Sequence, residues 1–380
     1  MSALDAALAD PDPLASFDLD ALLEGAARLR GDRTGFEDRR ESVGFAEADA
    51  RASALAAFLA DLGLVPGETV LLGCAAPATA FVAVLAAIRA GLHIALAPAF
   101  ADEQAACRMA LLSSAAALLV TGDGDAGSDA VVRDWLPVAA AAPSVRLLCS
   151  IGAEKRDGMV SFDPRSDAGA RIRTAAHPQA HDAQIVTFED GVPIAHVQRT
   201  LVAAALDVVA RSRIGMRLPI LSTIAPSSFA GLVAGPLASL LAGAPLHWRT
   251  PFEASQFLEE LDRRAPVHLV APAPIAPMLE RAGLVDRSNL AALVLLSRQR
   301  ASTGEPPPAP IQMRRDAPAL VDLYAFGERA AVAEMRISGA PVGPASEPHY
   351  LDLDGTPLLA VGWSEGEDGR RLRGVAVTSQ

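Results

Sequence analysis

Apolar residues along this chain fall into two alternating patterns. Short runs that are apolar on both faces occur at Thr69–Cys74, Leu118–Gly122, Val145–Ile151 and Gln184–Phe188. They recur at Leu218–Ile224, His268–Ala273, Ala292–Ser297 and Leu320–Phe326. Such runs predict strands covered by helices on each side. Between them lie helical spacings. Leu55, Phe58, Leu59 and Leu62 share one helix face, and Gly63 supplies a stop. Phe81 to Ala90 is apolar nearly all round and ends at Gly91, which predicts a buried helix. The alternation predicts an α/β fold of two packed subdomains with mainly parallel sheets. After Met335 the pattern changes to short strands, with Asp354-Gly355 as a turn between Tyr350–Leu353 and Leu358–Val361. The expected organisation is a tail over 1–19, a first α/β subdomain over 20–182, a second over 183–335 and a β-rich segment over 336–380. Ser161 to Asp182, with Pro164 and Pro178, is polar and is expected to be a connector; Ser302 to Pro310 is expected to be a loop.

Composition narrows the function classes. The net charge is −12 and aromatics are 4% of the chain, which argues against nucleic-acid binding through a basic patch or stacked bases. Lys155 is the only lysine, so any step needing a lysine of this chain falls to it. With so much Ala, Gly, Pro and Arg, the composition is of bacterial type. Cys74, Cys107 and Cys149 form no Cys-x-x-Cys pair, and the acidic N-terminus is unlike a secretory signal; a cytoplasmic location is expected. Leu218 to Trp248 contains no charged side chain, but Pro219, Pro226, Pro236 and Pro245 interrupt it. A strand, a loop and a buried helix are expected there rather than a membrane span.

An ordered series of short segments carries a family resemblance. Gly44-Phe45-Ala46-Glu47 precedes a helix, followed by Gly63-Leu64-Val65-Pro66-Gly67-Glu68-Thr69-Val70. Next come Pro77-Ala78-Thr79-Ala80-Phe81, Arg89-Ala90-Gly91, Ala97-Pro98-Ala99-Phe100 and Leu118-Leu119-Val120-Thr121. Gly231-Leu232-Val233-Ala234-Gly235 and Leu240-Leu241-Ala242-Gly243-Ala244 follow downstream. From about residue 20 onward the series resembles the N-terminal domain of the adenylate-forming (AMP-binding) acyl-CoA synthetases. The resemblance implies synthesis of an acyl-adenylate from a carboxylate and ATP, and then transfer to coenzyme A. That chemistry needs backbone N–H groups around the phosphates and cations against the charge that develops as pyrophosphate leaves.

The same resemblance exposes departures. The family's phosphate loop, Ser-Gly-Thr-Thr-Gly-x-Pro-Lys-Gly, is matched by Thr187-Phe188-Glu189-Asp190-Gly191-Val192-Pro193-Ile194-Ala195. Gly191 and Pro193 are kept; Ile194 replaces the lysine, and Glu189 and Asp190 bring carboxylates to a polyphosphate site. Two like charges ~4 Å apart repel by roughly 4 kcal/mol at an effective dielectric of about 20. A hydrogen bond returns about 1 kcal/mol net. Ser297-Arg298-Gln299 stands for Ser-Gly-Gly beside the adenine, and Tyr324-Ala325-Phe326-Gly327-Glu328 for Tyr-Gly-x-Thr-Glu. The resemblance therefore implies a nucleotide-binding remnant of Thr187, Gly191, Pro193, Ser297, Tyr324 and Glu328, with Glu328 at the Mg²⁺-ligand position. Gly327 replaces a phosphate-contacting threonine. Ser228, Phe229, Gly231 and Pro272 are the implied acyl-pocket residues. The ribose-binding aspartate, the hinge and the lid domain with its catalytic lysine are expected to fall outside this chain.

Bland readings stand beside these. Glu328 is either a catalytic remnant or a local cap. Glu189 and Asp190 are expected to form a solvated turn rather than a cation site. Asp123, Asp125, Asp129 and Asp134 lack the calcium-loop glycine, and His177 and His181 lie in a Pro-containing connector, so no metal is expected. His93, His247 and His268 are expected as hydrogen-bonded core histidines, and Cys74 as packing. The expectation is a degenerate relative that binds a small carboxylate or acyl ligand or a partner protein and forms no acyl-adenylate alone. One alternative is an AMP-forming ligase served by a separate C-terminal domain, with ATP, Mg²⁺ and coenzyme A. The other is a regulatory or structural subunit, including a homo-oligomer.

Overall fold

A computed structural model describes residue 14 and residues 18–31, 33–121, 134–152, 157–167, 176–250, 252–263, 266–285, 289–299, 310–311, 318–337, 339–341, 348–353, 356–366 and 369–378. Strands and helices alternate, and two large sheets result. The first has seven strands in the order Val160–Phe162, Leu147–Ile151, Ala117–Thr121, Thr69–Gly73, His93–Ala97, Gln184–Glu189 and Val192–Val197. Neighbours are parallel except for the last pair, an antiparallel hairpin. The second sheet has eight strands: Ala330–Met335, Ala319–Phe326, Leu290–Gln299, Val267–Pro272, Ile220–Ser222, Leu246–Trp248, Thr34–Glu37 and Ser42–Gly44. Its interior is parallel and both edge pairs are antiparallel. A three-stranded antiparallel sheet follows, His349–Leu353, Thr356–Gly366 and Gly369–Arg373. The expected α/β class with a β-rich C-terminal segment is the observed one.

The sheets interleave in sequence. Thr34–Glu37 pairs with Leu246–Trp248 in the second sheet, while Gln184–Val197 completes the first. The physical cause of the first crossing is aromatic. Phe36 places its ring 5.6 Å from that of Phe45, 5.2 Å from Phe81 and 6.1 Å from Trp248. All four rings are buried, so the N-terminal strand is held in the second sheet by burial of large rings. The continuous apolar core runs through both sheets.

Several helices follow directly from the sequence. Phe45–Asp61 ends before Gly63, whose φ of +82° is left-handed. Pro77–Arg89 is buried along nearly its whole length, as the all-round apolar pattern requires. The uncharged stretch holds the strand Ile220–Ser222, then Phe229–Leu232, a π-helical turn at Val233–Leu237, Ala238–Ala242 and the strand Leu246–Trp248. Pro236 sits inside the π turn, where its missing N–H is accommodated. Among the described residues no helix is long and apolar enough to cross a membrane.

The expected connector holds more structure than its polarity suggested: Val160–Phe162 joins the first sheet, and Pro164–Asp167 is a helical turn. The turn at Asp354-Gly355, Lys155, the acidic run Asp123 to Asp129 and most of the Pro-rich stretch 302–310 lie outside the described residues.

Two buried charge clusters tie elements together. Arg89 bonds Asp20 at 2.6 Å and Asp49 at 2.7 Å, and also donates to the Ser53 hydroxyl. It thereby joins the helices Leu19–Arg30, Phe45–Asp61 and Pro77–Arg89. His349 lies 2.7 Å from Asp207 Oδ1 and 3.2 Å from Glu334 Oε1. Burial would lower its pKa, but bonds to Asp207 and Glu334 outweigh that and raise it to about 9. This contact docks the three-stranded sheet onto the helix Gln198–Ser212.

Candidate functional site

The segment expected to meet polyphosphate is a minimal hairpin. Glu189 pairs directly with Val192, so Asp190 and Gly191 form the whole loop. Their φ values are +52° and +81°. Two positive φ angles are what a type I′ turn demands, and Asp-Gly is a preferred pair for it. Pro193 pairs with Phe188 on the edge strand, where its missing N–H interrupts no ladder. Ile194, at the position matched to the family lysine, is 6% exposed and packs into the interior. No slack remains in this segment to fold around a ligand.

Behind the hairpin runs a buried polar chain. Thr187 Oγ1 lies 2.8 Å from His196 Nε2, and His196 Nδ1 lies 2.6 Å from Thr378 Oγ1. Thr187 also bonds the Glu328 carboxylate. Burial, aided by the charge of Arg329, lowers the His196 pKa to about 3, so the ring is neutral near pH 7. One assignment then satisfies every group. Thr378 donates to Nδ1, the Nε2 proton goes to Thr187, and Thr187 donates to Glu328. The chain links the hairpin, the second sheet's Glu328 turn and the C-terminal segment.

Glu328 is 6% exposed, and its Oε2 accepts the Phe229 N–H at 2.5 Å. It thus caps the short helix Phe229–Leu232 together with Ser228, whose Oγ accepts the Gly231 N–H at 3.1 Å. The Arg298 guanidinium is 3.8 Å from Glu328 Oε1 but is itself 64% exposed. Burial raises the Glu328 pKa, and the neighbouring Glu189 adds to that; the Phe229 N–H, Arg298 and Thr187 work against it. Of the two acids in the turn, Asp190 is exposed as expected. Glu189 departs from the expected solvated turn. Its carboxylate lies against Gly327, whose φ is +57°.

The remaining expected residues divide. Tyr324 is fully buried in its strand, and burial raises its pKa further above the usual phenol value. Ser297 pairs with Tyr324 in register, and the strand continues through Arg298 to Gln299 rather than breaking where glycines were matched. Gly231 is a close-approach position, since a Cβ there would fall 2.1 Å from the Ala225 carbonyl oxygen. Phe229 is buried with its ring 5.1 Å from that of His196. Pro272 ends its strand opposite Leu296. Thr187, Glu328 and Phe229 are therefore brought into direct contact, while Tyr324 and Ser297 sit in the adjoining ladder. His196 and Thr378 were not singled out by sequence. An alternating strand with one polar residue facing inward was the sole signal for His196, and nothing local marked its partner.

The other candidates behave as core or surface groups. His93 Nδ1 accepts the Gln184 N–H, and burial lowers its pKa. His247 Nδ1 lies 3.1 Å from Glu37. His268 is buried, which lowers its pKa to about 4, but among the described residues its Nδ1 has no hydrogen-bond partner, where a bonded histidine was expected. Cys74 is fully buried and its thiol is pushed up to about 12. Among the described residues no group of three or more His, Cys, Asp or Glu side chains is placed to hold a metal.

Two interleaved, mainly parallel sheets meeting at this junction form an α/β scaffold shared with solved adenylation-domain and CoA-ligase structures. An adenylation–carrier di-domain fusion from Klebsiella oxytoca, NpsA-ThdA, superposes with a TM-score of 0.67 at 13% identity. The match covers 94% of this chain and 63% of that one. A benzoate CoA ligase from Burkholderia xenovorans LB400 gives 0.68 at 17% identity, covering 86% and 66%. The Klebsiella oxytoca NpsA N-terminal subdomain in complex with anthranilyl-AMSN gives 0.65 at 15% identity, covering 94% and 87%. The chain thus spans less than two thirds of the length of the first two. No curated protein matches it in sequence. The AMP-binding enzyme family model matches residues 23–359, and the chain belongs to that family.

Proposed function

We propose that this chain is a family member that forms no acyl-adenylate by itself and acts by binding a small carboxylate or acyl ligand, or a partner protein. The observation that carries this reading is the Asp190–Gly191 turn, which reduces the expected phosphate loop to a two-residue hairpin. A polyphosphate there would meet Glu189 and Asp190 instead of a lysine. Ser228, Phe229, Gly231 and Pro272 would line the acyl side, and a second copy of the chain is a candidate partner. Calorimetry with Mg·ATP at millimolar concentration tests the reading. No binding heat and no rise in melting temperature are expected; clear stabilisation would overturn it, because a ligand of the native state raises stability by mass action.

One observation favours a second reading, a ligase acting with a separately supplied C-terminal domain. Tyr324 and Glu328 keep the family spacing, and Glu328 reaches the junction where Thr187 and Phe229 meet. ATP–pyrophosphate exchange over a panel of aromatic and fatty acids discriminates. Exchange that disappears with Glu328→Gln would establish the ligase.

A further inference from the structure

One short segment, residues 374–378, touches all three sheets. The Val375 and Ala376 N–H groups donate to the Leu359 and Ala360 carbonyls of the strand Thr356–Gly366, at 2.9 and 3.0 Å. Val377 bridges Ala330, the first residue of the second sheet's edge strand, and the Thr378 N–H donates to the Arg329 carbonyl at 2.8 Å. The Thr378 hydroxyl then meets His196, in the edge strand of the first sheet, at 2.6 Å. Glycine is required where the segment begins. Gly374 has a φ of +134°, and a Cβ there would fall 2.2 Å from the Ala360 carbonyl oxygen and 2.8 Å from that of Leu359. Both oxygens belong to the backbone of a paired strand, which cannot rotate aside as a side chain can.

With the segment in place His196, Thr187, Thr378 and Glu328 are all buried. The segment itself is lightly held. Its apolar contribution is one buried alanine, Ala376, with the half-buried Val375 and Val377. Hydrogen bonds of modest net worth supply the rest, whereas the two large sheets share a continuous apolar core. A region with few buried apolar contacts opens at lower free energy than the whole fold. We infer that residues 374–378 form a clasp across the three sheets, whose local release, with both large sheets still folded, admits water to the buried relay of His196, Thr187 and Glu328. The clasp is independent of whether a nucleotide binds.

Carbethoxylation of histidines by diethyl pyrocarbonate, read residue by residue in the full chain by mass spectrometry, tests the clasp. His196 and His268 are both buried and both neutral at ~pH 7, so access rather than charge sets their rates. His268, inside the second sheet, reports unfolding of that sheet, and the exposed His181 should react equally in every variant. Thr378→Val removes one hydrogen bond and keeps the shape, and is expected to raise the His196 rate by about fivefold. Gly374→Ala drives a methyl group into the Ala360 carbonyl and is expected to raise it by about tenfold or more. The His268 rate is expected to stay unchanged in both. If Gly374→Ala does not fold, Thr378→Val carries the test. Equal rises at His196 and His268, or a His196 rate unchanged in the folded variants, would overturn the clasp.

Discussion

The Arg89 cluster and the Glu328 junction place buried charge in the same fold with opposite outcomes. Around Arg89, one guanidinium meets two carboxylates, a backbone carbonyl and a hydroxyl, and the polar groups named are paired. Burial, which would lower the Arg89 pKa, is outweighed by Asp20 and Asp49. Around Glu328, two carboxylates approach each other, and the nearby cation, Arg298, is largely in water. The first arrangement locks three helices. The second is frustrated, and it holds Thr187 and Glu328, two residues that the family resemblance led us to expect at a nucleotide site. Local conflict in an otherwise consistent fold marks a position shaped by something other than stability.

The comparison can be broken most forcefully at Arg89. Arg89→Ala leaves two buried acids uncompensated and is expected to destabilise by about 3–5 kcal/mol in a denaturant melt. Arg298→Ala, acting on an exposed partner, is expected to change stability by no more than about 1 kcal/mol. If the two cost the same, the distinction between a locked and a frustrated cluster fails.

Acid titration gives the next effect. The His196 pKa is lowered to about 3 in the fold, against a usual value of about 6.5. Below pH ~6.5 the unfolded chain binds the proton that the folded chain refuses. Stability should therefore fall by a few kcal/mol as pH drops from about 6.5 toward about 3. His268, lowered to about 4, adds to the same slope. His196→Gln should flatten the slope measured by melts over that window; an unchanged slope would place the burden on other groups, His268 and His93 among them. His349 has the opposite sign. With its pKa raised to about 9, its contribution is complete below pH ~6.5 and is lost as pH climbs through about 9. Melts between pH 7 and 10 should show that decline, and His349→Gln should remove it.

A small expected effect sharpens the comparison at the hairpin. Gly191→Ala forces a methyl into a left-handed position and should cost about 1 kcal/mol. The Arg108 side chain, 3.5 Å from the would-be Cβ, can move aside. A loss much above that figure would mean that the turn carries more of the fold than its exposed position suggests.

Much of the scaffold was legible from residue pattern. Thr69–Gly73, Ala117–Thr121 and Ala319–Phe326 lie within two residues of their expected bounds, because strands buried on both faces write long apolar runs. His93–Ala97 and Ala330–Met335 were not read as strands, since alanine-rich segments carry little β signal. Thr34–Glu37 is too short to announce itself, and its place in the second sheet depends on Trp248, more than two hundred positions away.

At the junction the division is sharper. The residues by themselves fixed the apolar core, the Asp-Gly turn and the acid in place of a lysine, because these depend on local backbone preference and on side-chain type. Only the tertiary arrangement decided that Asp190 faces water while Glu189 presses on Gly327, and that Glu328 caps Phe229 through a relay ending at Thr378. Those contacts join segments of the chain that no local pattern relates, and packing geometry alone determines which carboxylate is exposed and which, half-buried, lies against Gly327.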